Sequence, residues 1–299
     1  MCPVSVATSE ANSTFHRQAV ALGEMWKDAG LVDAVEPLFT SGSVENAHLV
    51  SEHKAEYGFM AANWLPLAAT GKPPFKSPLP VTLMTPINTG PLFFIARADS
   101  KLESFDDLRG KRVALGHENS GMVQHIHTIF GALGLPLDTI KPVYCHIGPG
   151  HKMLLEGTID AQWQPPIPNV QFDEINRQTP LKVLSFSPSQ RKTILDKVPY
   201  YTEAVIPQGA VHGHERDTTE IAVVNILAVH AQADEETVFR RTQAIIRHAN
   251  DLARRNPLYR GLDHLLQEAG KRIIPVLDRA GAPQHPGAAR AYRSAGYLV

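Results

Sequence analysis

LRGKRVALGHENSGMVQHIHTIFGALGL, Leu108 to Leu135, is the stretch whose reading decides the fold. Arg112–Leu115 reads as a short buried strand entered through a turn at Gly110. Residues 116–121 form a polar loop. From Met122 to Leu133 apolar residues recur at Met122, Ile126, Ile129, Phe130 and Leu133, a helical period, and Gly131 and Gly134 mark where that helix runs out. The first N–H groups of such a helix have no partner and carry the positive end of the macrodipole, so a carboxylate or phosphate can sit on the loop. Most strand–loop–helix turns bind nothing, and this one by itself is a weak signal.

Working outward, strands and helices alternate. Strands are expected at Val4–Ala7, Glu36–Phe39, Tyr57–Ala61, Val81–Thr85 and Leu92–Ala96, then at Lys141–Cys145, Ile159–Gln162, Leu181–Ser185 and Ile221–Val229. Helices are expected through Phe15, Ala19, Leu22 and Trp26, from Val44 to Glu52 with Ser43 as cap, and at His151–Glu156. Further helices are expected at Glu235–Arg254, Leu262–Gly270 and Ala288–Ala295. The Pro-rich segment 66–80 reads as a surface loop, and 186–217 as loop-rich. Alternation of this kind means α/β architecture with largely parallel sheets. Two such sets joined by a long return strand imply two lobes, residues 1–95 with 222–299 and residues 96–221, with the chain crossing twice. Ligands of open α/β sheets collect beyond the C-terminal ends of the strands. Those ends are the loops 8–15, 40–46, 63–64, 116–121 and 162–169, which line one cleft if the lobes oppose each other.

Composition sets bounds. The 299 residues are 43% hydrophobic and 20% charged, which is globular, and long enough for two ordinary domains. A net charge of −1 gives no nucleic-acid surface. The apolar run 221–229 is broken by Asn225 and is far short of the about 20 residues that span a membrane. Cys2 and Cys145 make no metal or redox spacing. No basic segment followed by an apolar one opens the chain as given, so either a leader has been removed or the protein stays in the cytoplasm.

Several stretches, in order and across nearly the whole chain, resemble the TAXI family of solute-binding proteins, the extracytoplasmic receptors of one class of tripartite ATP-independent periplasmic (TRAP) transporters. Gly42-Ser43-Val44-Glu45-Asn46 is similar to the family's GSVEN segment, with Tyr57-Gly58-Phe59 placed as expected. Phe94 to Ser100 resembles the crossover strand with its RADS end, and Leu108 to Val113 the strand entry. Asn119-Ser120-Gly121 stands at the helix-start loop, and Gly157-Thr158-Ile159-Asp160-Ala161 at the GxIDA turn. Pro199-Tyr200-Tyr201 with Ile206-Pro207-Gln208-Gly209, and His285-Pro286-Gly287-Ala288 with Tyr292 and Gly296, resemble later family segments.

The resemblance implies a type II periplasmic-binding-protein fold, two α/β lobes with a ligand cleft and two hinge crossovers. The lobes close on a small ligand, an amino acid or a carboxylate such as glutamate, and deliver it to membrane permease subunits without chemistry. It implies a periplasmic or extracytoplasmic location. The departures fall in the pocket walls. The first loop is Ser9-Glu10-Ala11-Asn12-Ser13-Thr14-Phe15 without the family's glycines, the helix-start loop carries His117-Glu118, and Gln162-Trp163-Gln164 replaces an apolar run. Glu10 and Glu118 favour a ligand with a positive group besides its carboxylate.

The ligand-binding candidates are Asn12, Ser13, Thr14, Ser43, Asn63, Trp64, Asn119, Ser120, Gly121, Met122, Trp163 and Tyr201. The polar ones hydrogen-bond a carboxylate beside helix-start amides, or simply cap helices. Trp64, Trp163 and Tyr201, with Tyr200, supply apolar walls or are core. Arg97 offers a bidentate fork to a carboxylate, or an ion pair to Asp99. No cofactor and no metal is expected: His125 and His127 point about 200° apart on one helix, and His212 and His214 lack zinc spacing. Ser120 fails the G-x-S-x-G template, since Glu118 and Met122 stand at the glycine positions, so no catalytic residue is assigned. His117 and Glu118 beside Ser120 keep a cytoplasmic enzyme or ligand sensor on the same fold as the competing reading.

Overall fold

The computed structural model describes residues 3–11, 13–118, 120–164, 167, 170–198 and 200–298, the side chains of Val170 and Gln171 apart. The chain begins β1 (Val4–Ala7), α1 (Thr14–Asp28), β2 (Val35–Leu38), α2 (Ser43–Ser51), β3 (Tyr57–Ala61), α3 (Trp64–Thr70) and β4 (Val81–Pro91). It continues β5 (Phe93–Arg97), β6 (Arg112–Gly116), α4 (Gly121–Leu133), β7 (Lys141–Tyr144), α5 (Ile147–Leu155) and β8 (Ala161–Gln164). Then follow α6 (Val170–Gln178), β9 (Leu181–Leu184), α7 (Pro188–Lys197), β10 (Tyr201–Ile206) and β11 (Thr218–His230). The tail is helical: α8 (Glu235–Arg247), α9 (Ala249–Arg255), α10 (Leu262–Arg272), α11 (Ile274–Arg279) and α12 (Pro286–Ser294). No helix among the described residues is long and apolar enough to cross a membrane.

Two compact units result, Met1–Thr89 with Val224–Val299, and Gly90–Val223. The chain leaves the first unit inside β4 and returns to it inside β11. The fold is mixed α/β of the periplasmic-binding-protein kind.

In the first unit β1, β2 and β3 pair in parallel, in the order β3-β1-β2, and β11 joins β3 antiparallel through Ala61↔Asn225 to Tyr57↔Val229. β4 lies on β11. Every residue of β3 is buried, as a strand covered on both faces must be. Arg241 of α8 is buried there. Its NH1 group donates to Glu56 (2.9 Å) and to the Tyr57 hydroxyl (2.8 Å), and its guanidinium lies over the Trp26 and Tyr57 rings. Pairing and ring contact together offset the cost of a charge inside a core, with Nε left without a partner.

The second unit has the order β7-β6-β8-β5-β9, with β6 parallel to β7 and β8, and β5 antiparallel to β8 and β9. One side of this sheet packs Phe93, Ile95, Ala114, Leu154, Ile159, Phe172 and Ile175 into an apolar layer. Phe94, Phe105, Trp163 and Phe186 form an aromatic cluster, with Trp163 at 4.6 Å and Phe186 at 6.1 Å from the Phe94 ring and Phe105 at 4.6 Å from Phe186. β10 pairs antiparallel with residues 218–223 of β11.

Several expected elements moved. The Pro66 segment opens with a helix, α3: proline fits the first turn, where no N–H is needed, and Gly71 in the left-handed region ends it at φ 68°. The loop-rich 186–217 holds α7 and β10. α7 was legible in principle, because Ser187 and Gln190 form a capping box around Pro188. The helix expected over 235–254 is two, broken at His248. α5 starts at Ile147, four residues before its expected start, and β8 ends at Gln164 rather than Gln162, which carries Trp163 and Gln164 into the sheet. Ser43 does not cap α2. Gly42 holds that position with φ 114°, which favours glycine, and the Ser43 hydroxyl instead accepts from the Ala61 N–H at 3.2 Å.

Candidate functional site

In the first unit the parallel strands β1, β2 and β3 end at one place, and a buried polar brace holds them there. The Asn46 amide donates to the carbonyls of Thr8 and Phe59, both at 2.6 Å, while its oxygen accepts from the Thr40 hydroxyl at 2.6 Å. The Glu45 carboxylate accepts from the Ser41 N–H and hydroxyl, both at 2.7 Å, which holds it below the usual carboxylate range. Glycine, serine, glutamate and asparagine of the GSVEN segment therefore each build the ends of these strands.

Around the brace stand four of the expected residues. Ser13 caps α1, accepting from the His16 N–H at 3.4 Å and sharing a hydrogen bond with Ser9 at 2.6 Å. Thr14 opens the same helix and is half-buried. Asn63 precedes α3 yet makes no capping bond, and its Oδ1 is buried without a partner. The indole Nε1 of Trp64, a residue 5% exposed, is likewise buried and unpartnered. An acceptor and a donor on consecutive residues are thus both unsatisfied just after the C-terminal end of β3. Such atoms cost about 1–3 kcal/mol each, and their position is where α/β sheets take ligands.

In the second unit β6, β7 and β8 end together. Gly116 closes β6 at φ 108°, and its carbonyl accepts from the Cys145 N–H at 3.1 Å, which ties the ends of β6 and β7. That tie brings the rings of His117 and His146 to 5.3 Å, centroid to centroid. Ser120 caps α4 through the Val123 N–H at 3.4 Å, so Gly121 and Met122 form the helix's first turn. His146 precedes α5 and gives no side-chain cap. Gln162 and Gln164 at the end of β8 are buried, and Gln162 Oε1 and Gln164 Nε2 have no partner.

A protein-family model described as the NMT1-like family matches residues 6–296. The chain belongs to the NMT1-like family. Solved structures agree on the fold. MatC from Rhodopseudomonas palustris with bound malate is 15% identical, with a TM-score of 0.57 over 97% of this chain and 98% of that one. The periplasmic sulfonate-binding protein SsuA from Methylobacillus flagellatus KT is 14% identical, with a TM-score of 0.53 over 99% and 96%. A histidine kinase sensor domain with similarity to periplasmic binding proteins is 14% identical, with a TM-score of 0.51 over 86% and 95%. At such identities the likeness is one of fold.

Other expected residues of this NMT1-like chain are occupied by its own structure. Trp163 is fully buried, donates its N–H to the Met122 carbonyl at 3.1 Å and packs on Phe94. It is core, not a pocket wall, because β8 runs two residues further than the sequence suggests. Tyr201 is 7% exposed and hydrogen-bonded to His125. Arg97 grips Asp99 with both edges of its fork, at 3.0 and 2.6 Å, and donates to the Leu155 carbonyl, so the ion pair prevails over the ligand fork. Asn12 and Asn119 lie outside the described residues. Among the described residues no three His, Cys, Asp or Glu side chains come together as metal ligands. Gln162, Gln164 and His146 were missing from the expected set. The Q-W-Q alternation was the signal for the two glutamines, since residues two apart in a strand share a face.

Proposed function

We propose that this chain is a solute receptor of a TRAP-type transport system, of the TAXI kind. It binds a small carboxylate or amino-acid-like molecule by closure of its two units and hands it to membrane permease subunits outside the cytoplasm. The supporting observation is the same in each unit: at the C-terminal ends of parallel strands stand helix starts and buried polar atoms without protein partners. Asn63 and Trp64 supply them in the first unit, and Ser120, Gly121 and Met122 open α4 in the second. Ser13 and Thr14 add hydroxyls. Ligand contacts made only in the closed state stabilise that state, which is how a receptor of this fold couples binding to delivery.

A thermal-shift screen of small carboxylates and amino acids tests the reading. A ligand at about 100 times its dissociation constant adds roughly 2.7 kcal/mol. That moves the midpoint by several degrees, since about 1 kcal/mol is worth roughly 2–4 °C at this size. Ser120→Ala together with Asn119→Ala removes the shift. Because Ser120 caps α4, its loss also lowers the unliganded stability by about 1 kcal/mol, roughly 2–4 °C in midpoint, and the ligand effect is read against that new baseline. Turnover of a hit, seen by product analysis, overturns the receptor reading. The sensor-domain relative keeps a sensing role as the alternative, and permease genes beside this one decide between them.

A further inference from the structure

Gln162 and Gln164 stand where glutamine is least at home. They project from one face of β8, and their register neighbours are Ile95 and Ala114 for Gln162 and Phe93 for Gln164. Those neighbours belong to the apolar layer that also holds Leu154. Gln162 is 1% exposed and Gln164 is fully buried.

Both carboxamides face α5, Gln162 at its first residue and Gln164 one turn further along. The Gln162 Nε2 donates to the Ile147 carbonyl at 3.1 Å, and the side chain lies so close to Gly150 that a Cβ there would sit 3.0–3.1 Å from the amide. The Gln164 Oε1 accepts from His151 Nε2 at 3.1 Å. One polar atom of each amide is left over: Gln162 Oε1, an acceptor, and Gln164 Nε2, a donor. The Gln162 amide cannot turn over, because that would set its oxygen against the Ile147 carbonyl oxygen. Next to these atoms α5 opens with His146-Ile147-Gly148-Pro149 and no side-chain cap. Buried polar atoms of native proteins find partners, so two left over at one strand end call for an account.

We propose that Gln162, Gln164 and the open first turn of α5 form a subsite for a neutral ligand group that both donates and accepts, of the carboxamide class. The inference rests on the receptor reading and names one end of its ligand. A carboxamide offers its N–H to Gln162 Oε1 and its oxygen to Gln164 Nε2. A carboxylate in the same place has only acceptors: it leaves Gln162 Oε1 unpaired and sets oxygen against oxygen. A site built to hydrogen-bond one polar group rejects the isostere that cannot answer it.

Calorimetric titration with two isosteric pairs, succinamate against succinate and asparagine against aspartate, tests this. The expected result is an amide bound about tenfold or more tightly than its acid. In Gln162→Met and Gln164→Met, which keep length and remove the free atoms, the amide-to-acid ratio falls toward one. An acid bound as tightly as its amide overturns the subsite and leaves the receptor reading standing. A wild-type ratio kept in both variants also overturns it, and assigns the free atoms to buried water. Binding by none of the four compounds overturns the carboxylate reading and the subsite together. The wild-type ratio alone decides the matter if a variant does not fold.

Discussion

The Nδ1 of His125 on α4 lies 2.6 Å from the hydroxyl of Tyr201 on β10, with both rings buried. The rings sit 5.6 Å apart, centroid to centroid, so a helix and a strand of the second unit are joined by a polar contact inside apolar surroundings. Tyr201 is committed to that contact. Tyr201→Phe leaves a buried imidazole nitrogen without its partner and lowers stability by about 1–3 kcal/mol, read by urea unfolding. Ligand affinity stays within about twofold of wild type.

The same histidine gives the stability an acid limb. Burial pushes His125 down to about 4 from its ordinary 6.5. Between those values the unfolded chain binds the proton and the folded chain does not, so stability falls as pH drops from 6.5 toward 4. The full contribution is about 3 kcal/mol at 1.36 kcal/mol per pH unit. His125→Phe flattens that limb in unfolding curves taken across the range.

Glu220 on β11 works in the other direction. Burial pushes its carboxyl up to about 8 from 4.5, offset in part by the Ser185 hydroxyl, Arg191 and the Phe186 N–H. Here the folded chain holds a proton the unfolded chain has lost, so stability falls as pH rises from 4.5 through 8, by up to about 5 kcal/mol. Between 4.5 and 6.5 the two groups oppose each other, and above 6.5 Glu220 acts alone of the pair. Glu220→Gln keeps the shape, cannot ionise, and raises stability at pH 8.5 while changing it little at pH 5. An alkaline limb unchanged in that variant would falsify the assignment.

Asn46 is the next test. Its amide holds two carbonyls and its oxygen one hydroxyl, all without solvent. Asn46→Ala takes the amide from the Thr8 and Phe59 carbonyls, leaving Thr8 only the Thr40 hydroxyl at 3.1 Å, and lowers stability by about 2–3 kcal/mol, among the larger effects a single change produces. Asn46→Asp keeps the acceptor but not the donors and recovers little of the loss.

The alternation of strands and helices, and with it the fold, was legible because apolar periodicity is written locally. The Leu108–Leu135 stretch folds as its pattern says, from a strand at Arg112 to a helix ending at Gly134. Site residues were less legible, because a polar side chain at a strand end reads alike whether it meets a ligand or a neighbour. Ser43 turned to Ala61 and Arg97 to Asp99, partners 18 and 2 residues away. Trp163 went to the core because a strand end shifted by two residues, and boundaries are where periodicity is weakest. The glutamines beside it were visible as a departure, yet their burial follows only from the sheet register with Phe93, Ile95 and Ala114.

Asn63 separates binding from stability most directly. It occupies the N-cap position of α3 without making the capping bond, and its Oδ1 is buried with no partner. Where an Asn cap is in use, alanine costs about 1 kcal/mol. Here no bond is lost, so Asn63→Ala leaves the unliganded stability within about 0.5 kcal/mol of wild type. The affinity for the tightest amino acid found in the screen, whose ammonium can donate to Oδ1, drops about tenfold, the value of one hydrogen bond to a charged or polar group in a dry site. Urea unfolding and calorimetric titration on the same preparation check both halves. A stability loss above about 1 kcal/mol with unchanged affinity would make Asn63 part of the scaffold, and would take β3's end out of the binding surface.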